Sequence, residues 1–252
     1  MTPLDELCQI PFHEAETPAR ARILSRLADT ELFAALVAEP PDDKAELRIF
    51  ELPEGPVALA CDTEDRLADF LGGPVAYLAL PGRVLAAALA AEGQGLLVNP
   101  GHASQLMLDA AMLAWLVGAL EARPSMAPED AAQSLAAPAP EAVALLAEPL
   151  AQRLADMAGL VGRMALVSAQ WRDGRRSHAL LLSGVDPVHE AAIAKALAEL
   201  LAFLPELPGG VDIGFAARTL PRGALILEPP LPLPSPEPEP ARRDPKAPPR
   251  LR

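Results

Sequence analysis

Residues 73–120 form the most ordered stretch of this sequence. They read GPVAYLAL (73–80), PGRVLAAALAAEG (81–93), QGLLVNPGHASQLMLD (94–109) and AAMLAWLVGAL (110–120). An apolar run of strand length ends at a Pro-Gly pair, and apolar residues then recur at helical spacing. A second short apolar run ends at the Asn-Pro-Gly turn of 99–101. Asp109 follows as the N-cap of another helix. The stretch therefore predicts the order β-α-β-turn-β-α.

The residues before this stretch complete a first unit. Apolar spacing predicts a helix over about 17–29. The run 32–37 could extend that helix, but Asp29-Thr30 favours a break, so we interpret the run as a strand. Alternation over 46–52 and a buried run at 57–61 predict a hairpin. Asp62 or Thr63 should then cap a short helix with three apolar residues facing inward, namely Leu67, Phe70 and Leu71. Residues 1–122 are expected to form one α+β domain.

A second unit is expected over 142–228, after an Ala/Pro-rich linker at 123–141. We expect a short strand at 143–146 and a helix that begins at Pro149, because proline inside a helix costs about 3 kcal/mol. The clearest hairpin pairs 164–171 with 177–183 around Asp173-Gly174. A helix capped at Asp186 and a strand at 211–215 follow, and the last apolar run, 224–227, is expected to pair with that strand. The fold class is α+β, with two layer domains and mixed or antiparallel sheets.

The C-terminal tail, residues 229–252, contains ten prolines, which favour an extended polyproline II conformation over a packed core. We expect it to be disordered. It is either a solvated tail or a peptide that docks in an aromatic groove.

Charge and composition restrict the function. The net charge is −13, and the tail carries five basic against three acidic residues, so residues 1–228 hold −15. This charge argues against nucleic-acid binding, which depends on basic residues. No run of eighteen apolar residues exists, and the N-terminus is acidic where a signal peptide is basic. We expect a cytoplasmic protein without membrane contact.

The usual signatures of catalysis are missing from the sequence. It has no Gly-rich dinucleotide or phosphate loop, no zinc-protease or CxxC pair and no serine-nucleophile elbow. Cys8 and Cys61 have no neighbouring base in sequence, and the four histidines are scattered. No catalytic residue, cofactor or metal is therefore predicted.

Two groups of residues could nevertheless form a binding site. The two turns of the first stretch could form a rim for an anion or a partner if their strands are neighbours; its residues are Gly82, Arg83, Asn99, Gly101 and His102. The alternative is that Arg83 pairs with an acid. The second site is a basic hairpin tip that could orient an acidic partner or a second copy, with Trp171 either in the core or an exposed anchor; its residues are Trp171, Arg172, Arg175 and Arg176.

The chain resembles the SseB family, in which an N-terminal and a C-terminal α+β domain occur in tandem. The resemblance rests on LRIFELPEGPVALACDTEDRLADF (47–70), YLALPGRVLAAALAAEGQGLLVNPG (77–101), VSAQWRDGRRSHALLLSGVD (167–186) and VDIGFAA (211–217). It implies the two folds and a name that refers to serine sensitivity. It implies no reaction, cofactor or catalytic residue, and the proline-rich tail is not part of the family pattern.

Three classes of function remain open from sequence. The first is a noncatalytic protein-interaction or regulatory module that binds a protein partner. The second is a small-ligand binder, for an anion or amino acid, or an enzyme, at the rim around Arg83 and His102. The third is a protein that assembles with itself through the hairpin at Trp171.

Overall fold

The computed structural model describes residues 1–39, 45–53, 55–126, 132–215 and 219–229. The first part of the chain runs α1 (Pro3–Leu7), α2 (Thr17–Asp29), β1 (Glu31–Ala35), β2 (Ile49–Leu52), β3 (Gly55–Cys61), α3 (Glu64–Leu71), β4 (Tyr77–Pro81), α4 (Gly82–Ala91), β5 (Gly95–Val98), β6 (Leu106–Leu108) and α5 (Ala110–Leu120). The second part runs β7 (Ala132–Ala136), α6 (Pro140–Asp156), β8 (Arg163–Trp171), β9 (Arg176–Ser183), a 3-10 turn (Pro187–His189), α7 (Glu190–Ala202), β10 (Val211–Gly214) and β11 (Leu225–Leu227). The predicted α+β class is confirmed.

The first sheet has the strand order β4-β1-β3-β5-β6, and β2 pairs with β3 beside this path. The pair β3–β5 is parallel, and the remaining pairs are antiparallel. The predicted β-α-β-turn-β-α order is confirmed, and the run 32–37 is strand β1 rather than more helix. Thr63 caps α3 through its side chain, which accepts a hydrogen bond from the Arg66 amide. Helix α3 covers one face of the sheet, whereas α2, α4 and α5 cover the other.

The second sheet has the order β10-β9-β8-β11, and β7 also pairs with β8. Strands β8 and β9 form the predicted hairpin, whose turn contains Gly174 at φ 85°. Strand β10 joins β9 in parallel. One face of this sheet packs on α6 and α7, because alternate residues of β8 and β9 such as Leu166 and Leu180 belong to the helix-covered core.

The helices of both parts share one apolar core that lies between the two sheets. Helix α2 contacts α6 and α7, and α5 contacts α7. The same buried cluster contains Leu27 of α2, Leu150 of α6, Leu197 of α7 and strand residues from both sheets. The domain limits 1–122 and 142–228 remain a prediction, but the two parts do not have separate cores in this structure.

Three local predictions were wrong. Residues 143–146 are helical rather than a strand, and α6 runs through Pro149 instead of beginning there. Leu146, Leu150 and Leu154 recur every four residues along α6 and are all buried, so the packing of this face outweighs the backbone hydrogen bond that proline removes. The run 224–227 contributes β11, which pairs with β8 and not with β10.

One further expectation needs correction, and the limits of the linker stay a prediction. Strand β7 lies within the predicted linker 123–141, and its backbone pairs with β8 from Ala132 to Ala136. Phe70 does not face inward from α3, because 51% of its surface is exposed. The disorder of the proline-rich tail stays a prediction, because residues 230–252 lie outside the described part of the chain.

Candidate functional site

Arg83, the cation of the predicted rim, joins three helices. It lies in the first turn of α4, and its guanidinium pairs with Asp29 at the end of α2 and with Glu199 of α7 at 3.2 Å. Burial opposes the charge of Arg83, but hydrogen bonds to Glu199 and Asp29 outweigh burial and raise its pKa. The neighbouring Gly82 amide donates to the Thr30 carbonyl at 2.8 Å. Arg83 is therefore engaged within the fold.

The second predicted turn, after β5, is also held by internal hydrogen bonds. Asn99 is buried with φ 46°; its Oδ1 accepts from the Asp62 amide at 2.9 Å, and its Nδ2 donates to Ser104 Oγ at 2.9 Å. Gly101 has φ 81°, in the left-handed region that favours glycine. His102 is exposed, and its amide donates to the Asn99 carbonyl.

The structure does not bring these two turns into one site. Strands β4, β3 and β5 run in the same direction, so both turns lie at the same edge of the sheet. Strands β1 and β3, however, lie between β4 and β5. The condition for the rim, that the two strands are neighbours, is not met, and Arg83 and His102 have different surroundings.

A cluster that sequence reasoning missed occupies this sheet edge; we call it the Arg66 cluster, and it consists of Thr2, Asp5, Asp62, Arg66 and Ser104. Arg66 pairs with Asp5 and, at 2.9 Å, with Asp62. Ser104 Oγ donates to Asp5 and Thr2 Oγ1 donates to Asp62, each at 2.5 Å. The side chains of Asp5, Asp62 and Arg66 are 9%, 3% and 13% exposed. The cluster fastens α1 to α3 and to the turn after β5.

The electrostatics of the Arg66 cluster point to structure rather than chemistry. The hydrogen bond from Arg66, supported by those from Ser104 and Thr2, holds the pKa of Asp5 well below its usual range despite burial. A carboxylate that stays ionised at neutral pH and has its lone pairs occupied is a poor general acid or base. The cluster joins residues far apart in sequence, and only the i, i+4 spacing of Asp62 and Arg66 could have indicated it.

The hairpin residues divide into two groups. Trp171 is only 3% exposed, so it belongs to the core and is not an exposed anchor. The Arg175 guanidinium lies 5.0 Å from the centre of the Trp171 ring and pairs with buried Asp212 at 2.8 Å. Arg172 and Arg176 are exposed. The hairpin therefore presents two of its three arginines to a ligand or partner.

An aromatic groove lies between α2, α5 and the end of α7. We define it by Phe12, Arg20, Met112, Trp115 and Phe203, and its volume is about 470 Å³. Trp115 is 48% exposed and its ring lies 5.7 Å from that of Phe203 at a tilt of 57°. Arg20 is held over Phe12 by hydrogen bonds to the Phe12 and His13 carbonyls. Phe12, Trp115 and Phe203 come from distant parts of the chain, so no local sequence pattern predicted the groove.

The remaining candidate groups offer little reactivity. Burial raises the pKa of Cys61 to about 11 and also raises the pKa of Cys8, so both buried thiols are protonated at neutral pH. Within the described ranges, no three His, Cys, Asp or Glu side chains gather closely enough to hold a metal ion. No helix in the described part of the chain combines the length and the apolar character that a bilayer crossing requires.

Comparison with known families agrees with the first part of this fold. Residues 12–115 match the family model described as SseB protein N-terminal domain. A C-terminal SseB domain was not detected. Neither curated proteins nor solved structures gave a match to the chain. Residues 12–115 are therefore similar to an SseB N-terminal domain.

Proposed function

We propose that this protein is a noncatalytic protein-interaction module whose aromatic groove binds a proline-rich segment. The observation that carries the proposal is the groove itself. Three of the nine aromatic residues in the chain, Phe12, Trp115 and Phe203, line one groove, and Trp115 is half exposed there. A half-exposed tryptophan that packs beside a buried Phe203 and a partly buried Phe12 is uncommon on a surface that has no partner.

The occupant we propose is the chain's own segment 229–240, PPLPLPSPEPEP. Proline-rich segments adopt polyproline II without further loss of backbone entropy and dock in grooves lined by aromatic rings. The segment begins at Pro229, the last described residue, and spans about 35 Å when extended at ~3.1 Å per residue. Arg20 can pair with Glu237 or Glu239 of the segment, although Asp109 also lines the groove, so the proline content carries the argument more than the charge does.

The alternative functions have weaker support. The rim around Arg83 and His102 is divided by two strands, and Arg83 is paired with carboxylates. An enzymatic role has less support, because in the part of the chain that the structure describes the carboxylates of the Arg66 cluster are paired with Arg66. A cytoplasmic location and a link to serine sensitivity stay predictions.

The proposal can be tested by acrylamide quenching of tryptophan fluorescence in the full-length protein. Trp171 is buried, so Trp115 dominates the quenching, and a Trp115→Phe variant measures the remainder. Replacing Pro230, Pro232 and Pro234 by serine should raise the Trp115 quenching constant about twofold by uncovering its ring. The matched control replaces three prolines further along the tail, Pro245, Pro248 and Pro249, and should leave the constant unchanged.

Equal quenching in the wild type and both tail variants would refute this occupant. If protection of Trp115 is the same at every protein concentration, the tail occupies the groove of its own copy. Protection that grows with concentration instead places the tail in the groove of a second copy, and both results support the proposal.

A further inference from the structure

Five polar side chains are grouped on the second sheet, beyond the helices that cover it; we call them the His178 patch, and they are Ser134, Ser168, Gln170, Arg176 and His178. The register forms two rows across β7, β8 and β9. One row contains Ala136, Ser168 and His178, and the other contains Ser134, Gln170 and Arg176. Alternation along each strand places all of them on the face that also carries Leu166 and Leu180.

These side chains line one concave pocket of about 250 Å³. Pro208 forms a wall of this pocket. The adjacent Gly209 has φ 79°, and a Cβ on it would lie 1.9 Å from the Arg176 carbonyl, so the loop can pass this close only with glycine. The backbone of the pocket is therefore fixed by the fold. Its volume is below the usual range for drug-sized ligands and suits a smaller molecule.

The polar groups of the patch lack protein partners. His178 is 8% exposed, yet neither of its ring nitrogens has a hydrogen-bonding partner among the described residues. Across the described ranges, the side chains of Ser134, Ser168, Gln170 and Arg176 also make no hydrogen bond or ion pair, in contrast to Asp212 nearby, which is bonded by Ser177 and Arg175. Buried polar groups are normally paired, so a nine-tenths buried, unpaired imidazole in a polar pocket indicates a binding site.

The charge of the patch selects the ligand. Arg176 supplies a guanidinium without an acidic partner in the described part of the chain, whereas burial lowers the pKa of His178 and keeps its ring neutral at pH 7. The pocket thus offers one positive charge, surrounded by hydroxyl, amide and imidazole groups. One planar anionic group with a neighbouring hydrogen-bonding group fits this set.

We propose that the His178 patch binds a small monocarboxylate that carries an adjacent hydroxyl group. The carboxylate accepts two hydrogen bonds from Arg176, and the hydroxyl bonds to Ser168 and to a ring nitrogen of His178, which must turn toward the pocket because both nitrogens are shielded from solvent. This site is separate from the aromatic groove, and either can exist without the other.

The test titrates the full-length protein with L-lactate and follows the ring resonances of His178 by NMR, with lactamide as the neutral control. Lactate should shift the His178 signals in a saturable manner, and lactamide should not. Arg176→Gln should weaken lactate binding at least about tenfold, because it removes the bidentate donor. Arg172→Gln removes the same charge from the same exposed hairpin but lies outside the pocket, so binding should change less than about twofold.

Three results would overturn the proposal. They are the absence of saturable shifts with lactate, equal shifts with lactamide, and equal weakening by Arg172→Gln and Arg176→Gln. Both arginines are exposed, so the two variants should fold like the wild type, and matching melting temperatures would establish this.

Discussion

The Arg66 cluster and the His178 patch are both polar groups mounted on a sheet, but they differ in how completely their bonds are satisfied. In the Arg66 cluster, each buried charge contacts an opposite charge and a hydroxyl group. In the His178 patch, both nitrogens of a buried imidazole lack partners among the described residues. Burial of a polar group without a hydrogen-bonding partner costs free energy. Clusters whose hydrogen bonds are all satisfied therefore stabilise the fold, whereas groups with unsatisfied hydrogen bonds are suited to binding a ligand.

The difference follows from what covers each site. Helix α1 lies over the Arg66 cluster and contributes Asp5, while Ser104 comes from the turn after β5. In the second sheet, Pro208 borders the His178 patch, and no described side chain supplies a partner for either ring nitrogen of His178. The patch is therefore left without groups that could close its hydrogen bonds.

The largest effect is expected from Arg66→Ala, which leaves two nearly buried carboxylates without their cation. Removing one partner of a buried ion pair should lower the free energy of unfolding by about 3–5 kcal/mol. Chemical denaturation measures this change. Arg163→Ala is the matched control, because its partner Glu228 and Arg163 itself are more than half exposed, and it should cost less than about 1 kcal/mol. Equal losses of unfolding free energy in the two variants would show that the Arg66 cluster does not stabilise the fold.

A smaller effect is expected from Asp212→Ala, beside the His178 patch. Asp212 is 1% exposed and accepts hydrogen bonds from Ser125, Ser177 and Arg175; although burial alone would raise its pKa, these bonds lower it. The loss of a charged acceptor should cost about 2–3 kcal/mol in urea unfolding. Asp69→Ala on the exposed surface of α3 should stay within about 0.5 kcal/mol. If Asp212→Ala leaves the free energy of unfolding unchanged, the distinction between groups with satisfied and unsatisfied hydrogen bonds is contradicted.

The smallest effect concerns His178 and pH. Its pKa is lowered in the folded state, so below the ordinary histidine value of about 6.5 the unfolded chain binds a proton that the folded chain does not. Stability should therefore be fully present above that pH and fall as the pH drops to 5, by at most about 1.4 kcal/mol per pH unit. Arg176 is the charged side chain on the same face of the patch. His178→Gln should remove this slope, whereas exposed His102→Gln should retain it; identical slopes would contradict a buried neutral ring.

Much of the fold could be predicted because its signals are local. The Asn-Pro-Gly turn, the Asp109 cap and the Asp-Gly hairpin each specify a turn or a helix start within a few residues. The prediction that the helix begins at Pro149 was wrong because the free-energy cost of proline is a local effect. The burial of Leu146, Leu150 and Leu154, which compensates it, comes from a core shared with distant helices. The partner of β11 depends on which strand edge is free, and sequence does not specify this.

The sites were less predictable because they depend on tertiary contacts. Arg83 was recognised as a candidate, but its partner Glu199 lies 116 residues away. Trp115 and Phe203 meet only when α5 packs beside α7. The sequence left Trp171 open between the core and an exposed anchor, and its burial beside Arg175 and Ser177 decides for the core.

Nuclear Overhauser effects between the Trp115 indole and the proline ring protons of residues 230–234, recorded on the uniformly labelled full-length protein, test the proposed interaction most directly. We predict cross-peaks from the indole to the proline Hδ protons, which disappear when Pro230, Pro232 and Pro234 are replaced by serine. An indole with cross-peaks only to groove residues such as Phe203 would contradict the assignment of the groove to a proline-rich segment.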